Sequence, residues 1–236
     1  MKPPSASCAI PLLQHLSARR AEALYRASRV RRFAKAMVLF RQGAPTDAVW
    51  IVLEGWVHLV RSEADQDRAH QVVLFTVTPT DALCGISALG SGPYTASGIA
   101  GAETRALRIP AIAFQDALLH EPRFAYELLR LCARRIQRIA EQYGAMAEPV
   151  PRRIVRAILR LHEQFGSTIP VTHRELAQMS WTTTESAIRS VRALKQSGCV
   201  TGTRGQLHVS DATVLHHALH DAHHTPYGEH ARYSRV

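Results

Sequence analysis

The sequence predicts an α+β chain: an N-terminal antiparallel β-roll of the double-stranded β-helix or jelly-roll kind, one long helix, and a C-terminal winged helix-turn-helix. Three observations predict it. Short β-rich runs punctuated by Gly and Pro crowd residues 37–109. After Pro110 they stop, and a heptad of apolar residues follows. From residue 150 onward, three helical segments precede two short strands around Arg204-Gly205.

Residues 11–32 read as one or two short helices, with Leu12, Leu13, Leu16, Ala23 and Leu24 at helical spacing and Arg29, Arg31 and Arg32 at the end. Strands are expected at 38–40, 49–53, 56–60, 72–77, 94–100 and 105–109, with the polar stretch 62–70 as a hairpin loop. Short strands separated by turn signals indicate a sandwich or barrel. Residues 111–120 read as a helix, Glu121-Pro122 as a break, and about 123–146 as a long helix. In it Ala125, Leu129, Cys132, Ile136, Ile139, Tyr143 and Met146 alternate spacings of four and three. That pattern suits a helix packed on its own domain or a seam between two copies, and the sustained period favours the homodimer.

Glu148-Pro149-Val150-Pro151 reads as a linker, because two prolines disfavour a continued helix. Pro151 then opens a helix ending before Gly166. Thr172 and Glu175 have the spacing of a capping box at the start of another, to Met179. A third covers about 183–197 and stops at Gly198; strands at about 199–201 and 206–209 follow.

The chain has 236 residues, 46% of them hydrophobic and 20% charged, which is a globular balance with material for one large domain or two modest ones. The longest apolar stretch, residues 48–60, is broken by Glu54 and too short to cross a bilayer, so no membrane partner is expected. No signal peptide or lipoprotein anchor is read at the N-terminus. Cys8, Cys84, Cys132 and Cys199 show no C-x-x-C spacing and suit reduced thiols in a cytoplasmic protein. A net charge of +10 points to a polyanion, most often nucleic acid. Only Lys2, Lys35 and Lys195 are lysines and Asn is absent, so a GC-rich genome also explains part of the arginine excess.

The C-terminal segment concentrates that charge. Residues 150–210 hold nine bases against Glu163, Glu175 and Glu185, or +6 of the total. Helix, short turn, helix and hairpin describe a winged helix-turn-helix. Leu176, Ala177 and Met179 on the first helix, and Ile188, Val191 and Leu194 on the second, are spaced to face a core. The second helix opens with hydroxyls, Thr182, Thr183, Thr184 and Ser186, suited to phosphates. Glu185 can accept from cytosine N4 and Arg189 can fork onto guanine; four residues apart, they share one face. Arg174, Arg192 and Arg204 complete the expected DNA surface, and Arg152 and Arg153 are further phosphate candidates. The competing reading is a surface Glu–Arg pair on an ordinary helical hairpin.

The whole order resembles the CRP/FNR family of bacterial transcription regulators. Val38-Leu39-Phe40-Arg41-Gln42-Gly43 with residues 49–57 is similar to the opening of that family's cyclic-nucleotide-binding-type barrel. Residues 172–179 with Thr184-Glu185-Ser186-Ala187-Ile188-Arg189 resemble its recognition motif, whose Glu and Arg read a TGA-type half-site. The resemblance implies a sensor domain over residues 1–122, a dimerisation helix over 123–148 (Leu129, Cys132, Ile136, Ile139, Tyr143), a DNA-binding domain over 149–211, and a His-rich, partly disordered tail over 212–236. It implies no enzyme, with double-stranded DNA, a second copy and, for an activator, RNA polymerase as partners.

The resemblance also places the effector pocket at Cys84, Gly85, Ile86, Ser87, Thr95 and Ala96. In nucleotide-binding members a Glu takes the ribose hydroxyl and an Arg about ten residues on takes the cyclic phosphate. Here Ile86 and Thr95 stand at those places, so cyclic AMP is not expected as a tight ligand. An iron–sulfur cluster is not expected either, since Cys8 alone precedes the roll. Haem stays open, with His58, Cys84 and His70 as candidates; the plain readings are an exposed strand histidine for His58 and an inert buried thiol for Cys84. A constitutive DNA binder with a degenerate sensor is the alternative function, and an enzyme with a vestigial wing the more distant one. No catalytic motif is complete: residues 85–89 miss G-x-S-x-G at the last position, and His162-Glu163 lacks the second His of H-E-x-x-H. His216, His217, His220, His223 and His224 include helical pairs able to hold a metal, but a loose polar tail is the simpler reading, and no metal site is expected.

Overall fold

The computed structural model describes residues 10–65, 68–79, 82–83, 88–90 and 92–220. The chain divides into two compact units, Met1–Gln142 and Tyr143–Val236. This division falls inside the long helix.

In the first unit a 3₁₀ turn, Pro11–His15, and helix α1, Ala18–Ala27, lead into eight strands among the described residues. These are β1 (Arg29–Phe33), β2 (Val38–Phe40), β3 (Ala48–Glu54), β4 (Val57–Asp65), β5 (Arg68–Val77), β6 (Ala82–Leu83), β7 (Ser97–Ala100) and β8 (Thr104–Pro110). They form two antiparallel sheets, ordered β1-β8-β3-β6 and β2-β7-β4-β5. Helices α2 (Ala111–His120) and α3 (Pro122–Gly144) follow.

β3 explains why the sheets stack. Every residue from Ala48 to Leu53 is buried, and successive side chains point to opposite faces. Val49, Ile51 and Leu53 join Leu107, Ile109, Leu24, Phe114 and Phe124 in a core under the helices. Ala48, Trp50 and Val52 join Phe40, Val57, Val77 and Tyr94 inside the roll. Phe114 meets Phe124 edge to face at 5.3 Å, which fixes α2 against α3.

Two sequence expectations are corrected here. Arg29, Arg31 and Arg32 lie in strand β1 and not at a helix end. The buried Ser28 stops α1 first, its hydroxyl donating to the Leu24 carbonyl; β1 is an edge strand, where charged side chains stay in water. The stretch 62–70 is no loop, because the β4–β5 ladder runs from Val57↔Val77 out to Asp65↔Arg68. Polar side chains do not break a ladder whose backbone groups pair with each other.

Helix α3 carries two apolar stripes. Phe124 and Leu128 are buried in the helix-side core, with Leu131 and Cys132 packed partly against it. Leu129, Ile136, Ile139 and Tyr143 are 64%, 61%, 49% and 72% exposed. Of the expected seam, then, Cys132 sits at the border and the other four are uncovered. Burial raises the Cys132 thiol pKa, with Arg135 pulling weakly the other way.

The second unit holds α4 (Val150–Phe165), β9 (Thr168–Ile169), α5 (His173–Met179), α6 (Thr184–Gln196), β10 (Val200–Thr203), β11 (Gln206–Val209) and α7 (Ala212–His220). The three strands order as β10-β11-β9; β9, only two residues long, was too short to be read from sequence. The start of the expected loose tail is instead α7, whose Leu215 is fully buried. It packs on α4, and Arg152 donates to its Leu219 carbonyl. His223 and His224 lie outside the described residues.

Gly55 turns β3 into β4 at φ +74°, and a Cβ there would strike the Glu103 carbonyl oxygen. Gly43 has a similar φ of +81° but open space around it. We expect Gly55→Ala to cost about 1–3 kcal/mol and Gly43→Ala about 1 kcal/mol from backbone strain alone. Urea midpoints of the two variants check the ranking; equal shifts would refute it.

Candidate nucleic-acid interface

The interface is built from α4 upward. Ile154, Val155, Ala157, Ile158, Leu159 and Leu161 make one buried face of α4. Against it sits α5, started by the capping box the spacing predicted. The Glu175 amide donates to Thr172 Oγ1 at 3.2 Å and the Thr172 amide to Glu175 Oε2 at 2.7 Å. Leu176, Ala177 and Met179 are buried as expected.

The turn to α6 is held by backbone contacts. Trp181 takes a left-handed φ of 53°, rare for a large side chain. The Thr182 amide donates to the Ala177 carbonyl at 3.0 Å, and Arg153 Nη1 to the Trp181 carbonyl at 3.3 Å. Helix α6 then begins at Thr184, with Thr183 Oγ1 accepting from the Ser186 amide as N-cap. Its buried side is Ala187, Ser190, Val191 and Leu194. The Ser190 hydroxyl is satisfied by the Ser186 carbonyl at 2.9 Å. Ile188, expected in the core, is 44% exposed. Ala187 takes the inner position, since a small residue lets packed helices approach closely.

What α6 leaves outside is Glu185, Arg189, Arg192 and Lys195, all exposed. Arg189 Nη2 donates to Ser186 Oγ at 3.0 Å, which holds the guanidinium along the N-terminal half of the helix. The helix-start amide and the Thr183 hydroxyl hold the Glu185 carboxyl below its ordinary pKa, and Arg189 adds to this. It is therefore an ionised acceptor at neutral pH. Thr183 is exposed, while Thr182, Thr184 and Ser186 are half-buried. Arg174 is exposed on α5, and Arg204 at the β10–β11 turn. Lys195 Nζ donates to the Gly202 carbonyl at 2.9 Å, tying the hairpin to the end of α6.

Arg152 and Arg153, the phosphate candidates on α4, also have partners inside the unit, as does Arg156. Arg152 reaches the Leu219 carbonyl and Arg153 the Trp181 carbonyl. Arg156 forks onto Glu148 at 2.7 and 2.8 Å, which lowers the Glu148 pKa. No periodic spacing links residues 148 and 156, so this pair carried no sequence signal.

In the roll, Tyr94 is buried and stacks on Phe40 at a centroid distance of 4.4 Å. Its hydroxyl donates to Asp47 Oδ1 at 3.0 Å. Thr95 is exposed and Ala96 buried; Cys84, Gly85, Ile86 and Ser87 lie outside the described residues. His58 is buried, contrary to the exposed strand position expected, because its ring lies beside Thr76, with Nδ1 3.0 Å from Oγ1. Among the described residues no group of three or more His, Cys, Asp or Glu could hold a metal.

Comparison with known proteins agrees with both halves. The cyclic nucleotide-binding domain model matches residues 30–121, and the Crp-like helix-turn-helix domain model matches 152–218, together about two thirds of the chain. The chain belongs to the CRP/FNR family. A CRP-like cAMP-activated global transcriptional regulator of Mycobacterium tuberculosis is 24% identical over 192 residues, spanning 78% of this chain and 84% of the relative. The Cyclic AMP receptor protein of Thermus thermophilus is 27% identical over 188 residues, spanning 78% and 85%. Among solved structures, FixK2 from Bradyrhizobium japonicum superposes with a TM-score of 0.72 at 15% identity, covering 80% of this chain and 96% of its own. Members of the CRP/FNR family are transcription regulators and not enzymes, and the helix-turn-helix is their DNA-binding domain. Among the described residues, no helix is long and apolar enough to cross a membrane.

In this CRP/FNR chain the capping box sets where α5 begins. Thr172→Ala should therefore lower stability by about 0.5–2 kcal/mol, and Thr172→Ser by much less. Thermal unfolding checks it; indistinguishable melts for the two variants would show that the box is dispensable.

Proposed function

We propose that this chain is a cytoplasmic homodimeric regulator that reads a pseudo-palindromic operator under control of a signal other than cyclic AMP sensed by the roll. The observation that carries the reading is the division of α6. One side anchors in the unit's own core, while Glu185 and Arg189 stand together on the other. Glu185 accepts from a cytosine and Arg189 forks onto a guanine. Thr182, Thr183, Thr184, Ser186, Arg174 and Arg192 contact phosphates, and Arg204 does so from the wing. The uncovered stripe of α3 takes a second copy, since exposed large apolar side chains in a row mark an interface. Two recognition helices about 34 Å apart then enter successive major grooves. As an activator, the bound dimer would meet RNA polymerase.

Against cyclic AMP stand Ile86 and Thr95. Neither supplies the carboxylate or the guanidinium that the resemblance requires, and Thr95 is exposed. Cyclic AMP is therefore not the expected signal, although two relatives are named for it. Haem is tested by an absorption spectrum of natively purified protein.

Two experiments test the reading. Arg189→Ala, measured on operators selected from genomic fragments, should cost about 1–3 kcal/mol concentrated at one base position; equal loss on all sequences would refute base reading. Leu129→Glu with Ile136→Glu should give monomers by sedimentation and abolish tight operator binding. These side chains are exposed, so folding persists, and a dimer that survives the double change would refute the seam.

A further inference from the structure

Four arginines, Arg31, Arg32, Arg41 and Arg108, line one cleft at the end of the roll. In the sheet β1-β8-β3-β6, Arg31 is opposite Ala106, while Arg29 and Trp50 are both opposite Arg108. Directly opposed residues share a face, and Ala106 and Trp50 belong to the roll core. Arg31, Phe33 and Arg108 therefore face the same side as Trp50. Arg41, directly after β2, borders the same space. The result is a cleft of about 630 Å³, within the range of small-molecule sites.

The cleft's chemistry is narrow. Its walls are aromatic: Phe33 meets Trp50 edge to face at 5.7 Å, and Phe40 stacks between Trp50 and Tyr94. Its cations exceed its anions. Asp47 is the acid in the lining; it takes Arg108 at 2.5 Å and the Tyr94 hydroxyl at 3.0 Å. Arg31, Arg32 and Arg41 are exposed and have no ion pair among the described residues; Arg32, opposite Arg105, starts from the other face of β1. The Trp50 indole N–H is buried without an acceptor. Among the described residues, no Ser, Thr, Asn, Gln or His lines the cleft. The free groups, the Arg31 and Arg41 guanidiniums and the Trp50 N–H, are all donors, so an acceptor-only planar carboxylate on an apolar ring matches them better than a base edge that must also donate.

We propose that this cleft binds a small aromatic carboxylate, the acid group on Arg31 and Arg41 and the ring against Phe33 and Trp50. Guanidinium forks suit a planar carboxylate, and an aromatic wall suits the ring. The proposal does not rest on the DNA-binding reading, because it concerns the N-terminal unit alone.

The test is calorimetric titration of the full chain, without DNA, using salicylate. We expect a dissociation constant on the order of 100 µM, given the ligand's size. Benzyl alcohol, which lacks the charge, and octanoate, which lacks the ring, should bind at least about tenfold more weakly. Arg31→Gln with Arg41→Gln should weaken salicylate by at least about tenfold, with an unchanged thermal melt and unchanged operator binding. Phe33→Leu, which keeps both charges, should weaken it less but measurably. Salicylate that fails to bind, or binds equally to the double variant, overturns the proposal. So does preferential binding of octanoate, inorganic phosphate or cyclic AMP over salicylate.

Discussion

Val49, Ile51 and Leu53 enter one core while Ala48, Trp50 and Val52, one residue out of step, enter another. The N-terminal unit depends on this single strand being buried on both faces. Burial of a large apolar side chain contributes about 1.5–3 kcal/mol, so β3 brings several such terms to each side of the sheet. A slip of one residue would exchange the two sets and put Trp50 under α2. The pairing of β3 with β8 therefore fixes more than the sheet. It sets where the helices pack, which residues fill the roll, and which side of β1 faces the cleft.

The C-terminal unit answers a different constraint. A surface that meets DNA must keep its charges outside while the helix carrying them stays still. In α6 the buried positions are Ala187, Ser190, Val191 and Leu194, mostly small or branched and well short of a heavy core. Local polar bonds supply the remaining order: the Thr183 cap, the Ser190 back-bond, and the Lys195 tie to the hairpin. Arg153 on the Trp181 carbonyl adds a bond that spans the turn. The charge excess of residues 150–210 thus separates into two populations. Arg152, Arg153 and Arg156 hold the unit together, while Arg174, Arg189, Arg192 and Arg204 remain at the surface.

That separation marks what sequence reasoning could reach. Signals confined to one element were legible. The capping box at Thr172, the stop at Gly166, the strand at 38–40 and the helix at 111–120 each follow from neighbours within a turn or two. Signals that depend on a distant element were not. Arg29, Arg31 and Arg32 look like a helix end until β8 pairs with them. The stretch 62–70 looks like a loop until its two halves pair with each other. Ile188 and His58 were misplaced for the same reason: their exposure is decided by what packs against the neighbouring residue. Short β9 and helix α7 are held by β11 and α4, and nothing in their own residues announces it. The Ile86 and Thr95 substitutions were readable as chemistry, whereas the aromatic filling of the roll required coordinates.

The long helix shows why reading a period is not the same as reading a partner. Phe124, Leu128 and Leu131 repeat at four and three; so do Leu129, Cys132, Ile136, Ile139 and Tyr143, one residue later. One residue is about 100° of helix, so the two stripes lie side by side. The sequence shows both, and only packing distinguishes them: the first is taken by the chain's own core, the second is left open. Cys132, at the border, is half-buried for that reason. Under the proposed dimer the arrangement has a mechanical consequence. Both stripes are on one rigid rod, so any ligand that repacks Phe124 and Leu128 against the roll must also rotate or slide the open stripe. A helix–helix interface tolerates only a few discrete packings. A small change at the roll would then select between arrangements of the two copies, without a separate device to carry the signal.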